Sequence, residues 1–360
     1  MRRRHPRRQT SAFALALAAL ISVSVAVASP GTATPSAANP LDDHSWPIYR
    51  GHAEGAYSNW VTSTGTTKSL LAKIAGRPRV VSLTDGDNPS TIREITRKRI
   101  EDFHHDSPGG YAQLAVFGLY PDGEWNRHKV FTLAMQDRYK RWVNEIAAAI
   151  GSNRVILVLE PDLAVAWTGW RPAVRFRLAK YAASVFSKLP NTILYVDGSD
   201  ADWLPVDKAV RMLVQSGVQY ARGFALGTSH YGGAGANMVY GGKLVRALAA
   251  RGYGGKHFVL DTADNGVPYT HKQYYATHPG GSFDNPNVCR SKTDRLCQML
   301  GIPPTTDVAN ARWGMSAGTR NIAARYCDAF VWVGRPWLYK QASPFQLTRA
   351  LQLARTTKWQ

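Results

Sequence analysis

Four short segments of this 360-residue chain gather the residue types that acid–base chemistry on a carbohydrate requires. They are Glu160-Pro161-Asp162; Asp197, Asp200, Asp202 and Trp203; Thr228-Ser229-His230-Tyr231; and Asp261, Asp264 and Asn265. Carboxylates hold or pass a proton and bond hydroxyls, and aromatic faces stack on sugar rings. One Asp where an apolar run ends is unremarkable, but this density together with Trp and Tyr is the pattern of a carbohydrate cleft. Other chemistries find no support in the spacing. His104-His105-Asp106 lacks a third ligand at a metal-binding interval. The pairs Gly232-Gly233, Gly241-Gly242 and Gly254-Gly255 match neither a dinucleotide fingerprint nor a P-loop. No G-x-S-x-G elbow occurs. No metal and no cofactor are therefore expected.

Each of the four segments follows a short apolar run. Seven such runs read as strands: Arg79–Leu83, Gln113–Phe117, Val155–Leu159, Thr192–Val196, Gly223–Leu226, His257–Leu260 and Ala329–Val333. Between the second and third, Met135, Tyr139, Trp142, Val143, Ile146 and Ile150 recur at helical spacing. Residues 173–188 and 238–251 read as helices in the same way. Alternating strands and helices imply an α/β fold with a parallel sheet and helices outside. Such folds collect their functional groups at the carboxyl ends of the strands, where these segments stand.

The chain has 44 Lys and Arg against 25 Asp and Glu, a net charge of +19, and is 44% hydrophobic. That apolar content excludes a disordered chain. Arg2, Arg3, Arg4, Arg7 and Arg8, the uncharged run 11–28 and Ala26-Val27-Ala28 read as a cleavable signal peptide over 1–28. Residues 29–45 then read as a flexible linker and 46–360 as one catalytic or binding domain. Losing the leader leaves 39 basic residues against 25 acidic ones, or +14. The basic residues are dispersed and the protein is expected outside the cell, so nucleic acid is not the expected partner. An anionic surface such as a cell wall is the one the charge suggests. Cys289 and Cys297, eight apart in a polar loop, are expected to pair, with Cys289–Cys327 as the alternative.

The ordered segments resemble glycoside hydrolase family 6, the inverting cellulases. The resemblance rests on 155–163 (VILVLEPDL), 194–198 (LYVDG) leading to Trp203, 223–231 (GFALGTSHY), 260–266 (LDTADNG), 301–306 (GIPPTT) and 328–333 (DAFVWV), and it covers roughly residues 110–335. It implies a distorted, seven-stranded parallel β/α barrel, TIM-like and single-domain. It implies a hydrolase of β-1,4-linked glucan or a related polysaccharide, with Asp162 as the general acid; with the leader, a secreted protein is expected, and a monomer. Such an acid must keep its proton near neutral pH, which requires burial or a neighbouring carboxylate. In the family an Asp after the second strand does this. Here that loop reads Tyr120-Pro121-Asp122-Gly123-Glu124-Trp125, so Asp122 or Glu124 takes the part, and spacing favours Glu124. The resemblance further implies that Asp197 orders the cleft, that Trp203 stacks on sugar, and that His230 replaces an Asn that contacts it. Asp264 is read as a further cleft residue.

The sequence departs from the family most at its last loop, Val333-Gly334-Arg335-Pro336-Trp337-Leu338-Tyr339-Lys340. Lys340 stands where the family has the Asp proposed as catalytic base, and the loop carries no carboxylate. Asp264, Asp200, Asp202 and Glu124 are the remaining candidates for a base. Trp337, with Arg335, is read as a rebuilt sugar subsite. Short loops point to an open groove and endo action. A barrel that keeps the acid and loses the base is also compatible with a carbohydrate-binding protein.

Overall fold

The computed structural model describes residue 1 and residues 38–42, 45–84, 88–120 and 127–359. The expected signal peptide and most of the expected linker lie outside the described residues, as do Asp122 and Glu124. Seven parallel strands form one sheet in sequence order: β1 (Val81–Thr84), β2 (Ala112–Phe117), β3 (Val155–Leu159), β4 (Thr192–Asp197), β5 (Gly223–Leu226), β6 (His257–Asp261) and β7 (Cys327–Val331). All seven expected runs are strands. The boundaries differ by up to two residues: β1 starts two later than its expected run, and β7 starts two earlier because Cys327 and Asp328 are also buried in the sheet.

The sheet curls far enough for its first and last edges to meet. Val80 N–H donates to the carbonyl of Trp332 across 2.7 Å, although β1 and β7 do not pair as strands. Inside the curl, Val80, Ala115, Ile156, Val158, Tyr195, Ala225, Val259, Ala329 and Val331 form one buried cluster. On the opposite face of β3, Val155, Leu157 and Leu159 pack in the larger outer core. Burial on both faces explains why the strands read as continuous apolar runs. Gly223 is required where β5 meets β6, because a Cβ there would lie 1.6 Å from the carbonyl oxygen of His257.

Helices Leu133–Ile150, Pro172–Phe186 and Ala234–Ala249 cover the outside, close to their expected positions. The first shows how local signals set an element. Thr132 Oγ1 accepts from Met135 N–H at its start, and Tyr139, Trp142, Val143 and Ile146 bury one face against the strands. The described part of the expected linker is a packed strap. Leu41 is fully buried in the inner cluster, and Asn39 Nδ2 donates to the Asp328 carbonyl at 2.7 Å. Cys289 is bonded to Cys297, and Cys327 is a buried free thiol, which rules out the alternative pairing. Among the described residues, no helix is long and apolar enough to cross a membrane.

The amino-terminal ends of the later strands carry a buried ionic knot. Asp328 accepts from Arg222 at 3.0 and 3.1 Å, and from Tyr195 Oη at 2.7 Å, with His257 Nδ1 at 2.9 Å. Burial opposes its charge, but the bonds from His257 and Arg222 hold it below the ordinary carboxylate range.

Candidate active site at the carboxyl rim

The rim opposite that knot begins at the end of β3. Glu160 and Asp162 both adopt left-handed backbone, with φ of 54° and 66°. Such conformations cost non-glycine residues on the order of 1–3 kcal/mol each and persist where surrounding structure imposes them. Glu160 supplies the constraint. It is fully buried and accepts from Gly118 N–H and Leu119 N–H at 3.1 Å and from Tyr139 Oη at 2.8 Å. One side chain thereby ties β3, the end of β2 and the helix Leu133–Ile150. The corner sets Asp162 half-buried at the rim, with its carbonyl accepting from Tyr120 Oη at 3.3 Å.

At the end of β4, Asp197 is fully buried and accepts from Thr228 Oγ1 at 2.6 Å and Ser199 N–H at 3.3 Å. Burial pushes its pKa up to about 7, and the charge of Asp162 adds to the rise. Asp200 is also fully buried, and neither carboxyl oxygen has a hydrogen-bond partner. Desolvation, followed by the charges of Asp202, Asp197, Asp162 and Asp261, holds it well above the usual range.

Asp202 behaves in the opposite way. Partial burial favours its neutral form, but His230 Nδ1 at 2.9 Å and His271 N–H at 2.9 Å outweigh this and lower its pKa. At the end of β6, Asp261 accepts from Ala263 N–H at 2.9 Å and Gly334 N–H at 2.6 Å. The second bond fixes the start of the last loop. Burial raises both Asp261 and Asp264, and Asp261 adds to the rise at Asp264.

The aromatic residues are placed less simply. Trp203 is half-buried, and His230 stacks on it with 4.6 Å between centroids and 5° between planes. His271 continues the column 5.9 Å beyond His230. One face of Trp203 is thus occupied by His230, and the ring also packs against the outer core. Trp337 is fully buried, 6.2 Å from Trp332. A ring with no open face cannot stack on a sugar, so the expectation of a platform at Trp337 is corrected: apolar packing of the last loop onto the helix Leu347–Thr356 draws it inward.

The remainder of that loop is held by Arg335 N–H donating to Gln341 Oε1 at 2.8 Å and Leu338 N–H to the Arg335 carbonyl at 2.9 Å. Lys340 is exposed, and its N–H donates to Asn285 Oδ1 at 3.2 Å. The fold therefore brings Asp162, Asp197, Asp200 and Asp261 within electrostatic reach of one another, while Lys340 lies at the surface. Sequence reasoning missed the anchoring parts of Glu160 and Asp261. An acid placed directly after a fully apolar strand was the available signal, because a buried carboxylate must find donors. Among the described residues, no group of three His, Cys, Asp or Glu side chains is arranged to hold a metal ion.

The model for "Glycosyl hydrolases family 6" matches residues 46–337. Endoglucanase A of Cellulomonas fimi is 33% identical over 216 residues, which is 58% of this chain and 44% of that protein. Endoglucanase 1 of Streptomyces halstedii is 29% identical over 157 residues, 42% of this chain and 49% of the relative. The chain spans about half the length of these curated relatives. Among solved structures, the endoglucanase Cel6 of Mycobacterium tuberculosis, in complex with methyl-cellobiosyl-4-deoxy-4-thio-β-D-cellobioside, superposes with a TM-score of 0.68. It is 24% identical, and the match covers 88% of this chain and 98% of that one, a likeness of fold.

Proposed function

The chain belongs to glycosyl hydrolases family 6, and from that premise we propose that it is a secreted glycoside hydrolase. It cuts a β-1,4-linked glucan or a related polysaccharide within the chain, by single displacement with inversion. Asp162 is the general acid. The observation that carries this reading is the strained corner at Glu160 and Asp162, latched by three hydrogen-bond donors and facing the buried Asp197. Strain maintained at the end of a barrel strand beside a second carboxyl group is a feature of working sites. Asp122 or Glu124 tunes the acid, Asp197 and Asp264 order the cleft, and Trp203 with His230 lines it.

Inversion also needs a base to activate water, placed across the sugar from the acid. The last loop carries no carboxylate, so the base comes from elsewhere on the rim. Asp202 is the candidate whose surroundings favour the charged form, whereas burial raises Asp200 and Asp264 and disfavours theirs. The same absence supports a second reading, a carbohydrate-binding protein on a hydrolase barrel. Electrostatic association with the cell wall fits either reading.

The test is product release from soluble β-1,4-glucans and amino-sugar polymers, read by mass spectrometry for the native protein and Asp162→Asn. Loss of a general acid costs on the order of 10²–10⁴ in rate, so the variant is expected to lose measurable activity. If neither protein releases product at high loading while both bind a polymer, the hydrolase reading fails and the binding reading stands.

A further inference from the structure

Among the described residues, the most deeply packed arginines are bonded to fixed partners. Arg79 reaches Glu54 and the carbonyls of Ala75 and Tyr49. Arg175 donates to the carbonyls of Leu119 and Trp170. Arg222 grips Asp328, and Arg349 donates to Pro286, Pro336 and Gln298. This is expected, because a guanidinium withdrawn from water carries five donors and a charge that must be compensated. Arg335 is half-buried, and desolvation works against its charge, yet its guanidinium makes no hydrogen bond or ion pair with any described residue.

Its position gives that difference meaning. Arg335 lies on the carboxyl rim within electrostatic range of Asp162 and of Glu54. Glu54 does not satisfy it, since Glu54 Oε1 is engaged by Arg79 and Oε2 has no hydrogen-bond partner. The backbone beneath is fixed on both sides. Asp261 holds Gly334, Gln341 Oε1 accepts from Arg335 N–H, and Trp337 and Leu338 are buried. The loop is thus a fixed mount for a guanidinium that has no bonded partner among the described residues and lies within electrostatic range of Glu54, Arg99 and Asp162. Planar guanidinium matches planar carboxylate, with two parallel N–H···O bonds.

We propose that Arg335 forms a subsite for a carboxylate carried on the polysaccharide, making the substrate class an acidic, uronate-bearing β-linked glycan. The proposal deepens the hydrolase reading and rests on it only for the cleft being a sugar site. The charge of +14 that remains after the expected leader, 39 basic residues against 25 acidic ones, favours the approach of such a polymer. In the cleft, the sugar's carboxylate would take up the donors that Arg335 leaves unused, close to the proton donor Asp162.

The probes are cellohexaose and the same oligomer oxidised at C6 to carry glucuronate units. Calorimetric titration is done in the Asp162→Asn background, so that turnover does not consume the ligand. With Arg335 intact, the oxidised oligomer is expected to bind about 10- to 100-fold more tightly, the range of one charge-assisted pair. In Arg335→Gln that ratio should collapse towards one. In Arg335→Lys, which keeps the charge without the fork, it should fall to an intermediate value. Equal affinities with Arg335 intact overturn the proposal. So does an equal loss for both oligomers in Arg335→Gln, which would mean the guanidinium bonds neutral hydroxyls. If Arg335→Gln does not fold, an unchanged ratio in Arg335→Lys overturns it instead. Preference for the oxidised oligomer without any product release by the native protein would sink the hydrolysis reading and leave this one standing. Release from neutral glucan with no preference would do the reverse.

Discussion

The two ends of the same sheet treat buried carboxylates in opposite ways. At the amino-terminal end, Asp328 is enclosed by Arg222, His257 and Tyr195 and stays ionised. At the carboxyl-terminal end, Asp197, Asp200, Asp261 and Asp264 are equally enclosed but meet neutral donors, one another, or no partner at all, and all four are raised. A compensated carboxylate is a structural part that favours folding. An uncompensated group opposes it and persists only where it has another use. The contrast separates the end that holds the barrel together from the end that carries the proposed site, without reference to any relative.

Three measurements would break or sharpen that contrast. The largest effect is expected at the amino-terminal knot. Asp328→Ala leaves Arg222 without its counter-charge and should destabilise the fold by about 3–5 kcal/mol in denaturant unfolding. A loss below about 1 kcal/mol would mean that the knot is not the anchor it resembles.

The next effect is at Asp197 and has a definite sign. Its pKa rises from 3.8 unfolded to about 7 folded, so the folded state holds the proton more tightly. Stability from this group is therefore full below about pH 4 and is lost as pH rises to about 7, a change of at most about 4 kcal/mol. Asp328 slopes the other way, since its depressed pKa gives stability that is lost only as pH falls below the ordinary carboxylate range. Between about pH 4 and 8, unfolding should show the native protein losing stability relative to Asp197→Asn as pH rises. Parallel curves would show that Asp197 titrates normally.

The smallest effect is expected at Lys340, which is exposed, with its backbone N–H on Asn285 and its ammonium 5.7 Å from the Tyr339 ring centroid. Lys340→Ala should change stability by less than about 0.5 kcal/mol. It should also leave oligosaccharide affinity unchanged in titration, although the residue stands at the family's base position. A clear loss of affinity would return Lys340 to the cleft.

Much of the fold was legible before any coordinates. Periodicity located the seven strands and the principal covering helices, because burial on both faces of β3 leaves no alternative to an apolar run. It also located the rim, since the carboxylates follow directly where those runs stop. The site was legible as a set of residues and not as an arrangement. The sequence marked Trp337 as a sugar platform, whereas packing against Trp332 and the helix Leu347–Thr356 turned it inward. It marked residues 29–45 as a tether, whereas Leu41 sits in the barrel interior.

What the sequence determined by itself is the order of strands and helices, the polar rim, and the loss of carboxylates from the last loop. These depend on local composition and period. What only the tertiary structure decided is which charges are compensated. Asp328 and Arg222 are 106 residues apart, Asp261 and Gly334 are 73 apart, and Arg335 is distinguished by bonds it lacks. A carboxylate or guanidinium takes its protonation and purpose from whatever the fold places within a few ångströms, and separation along the chain carries no such information.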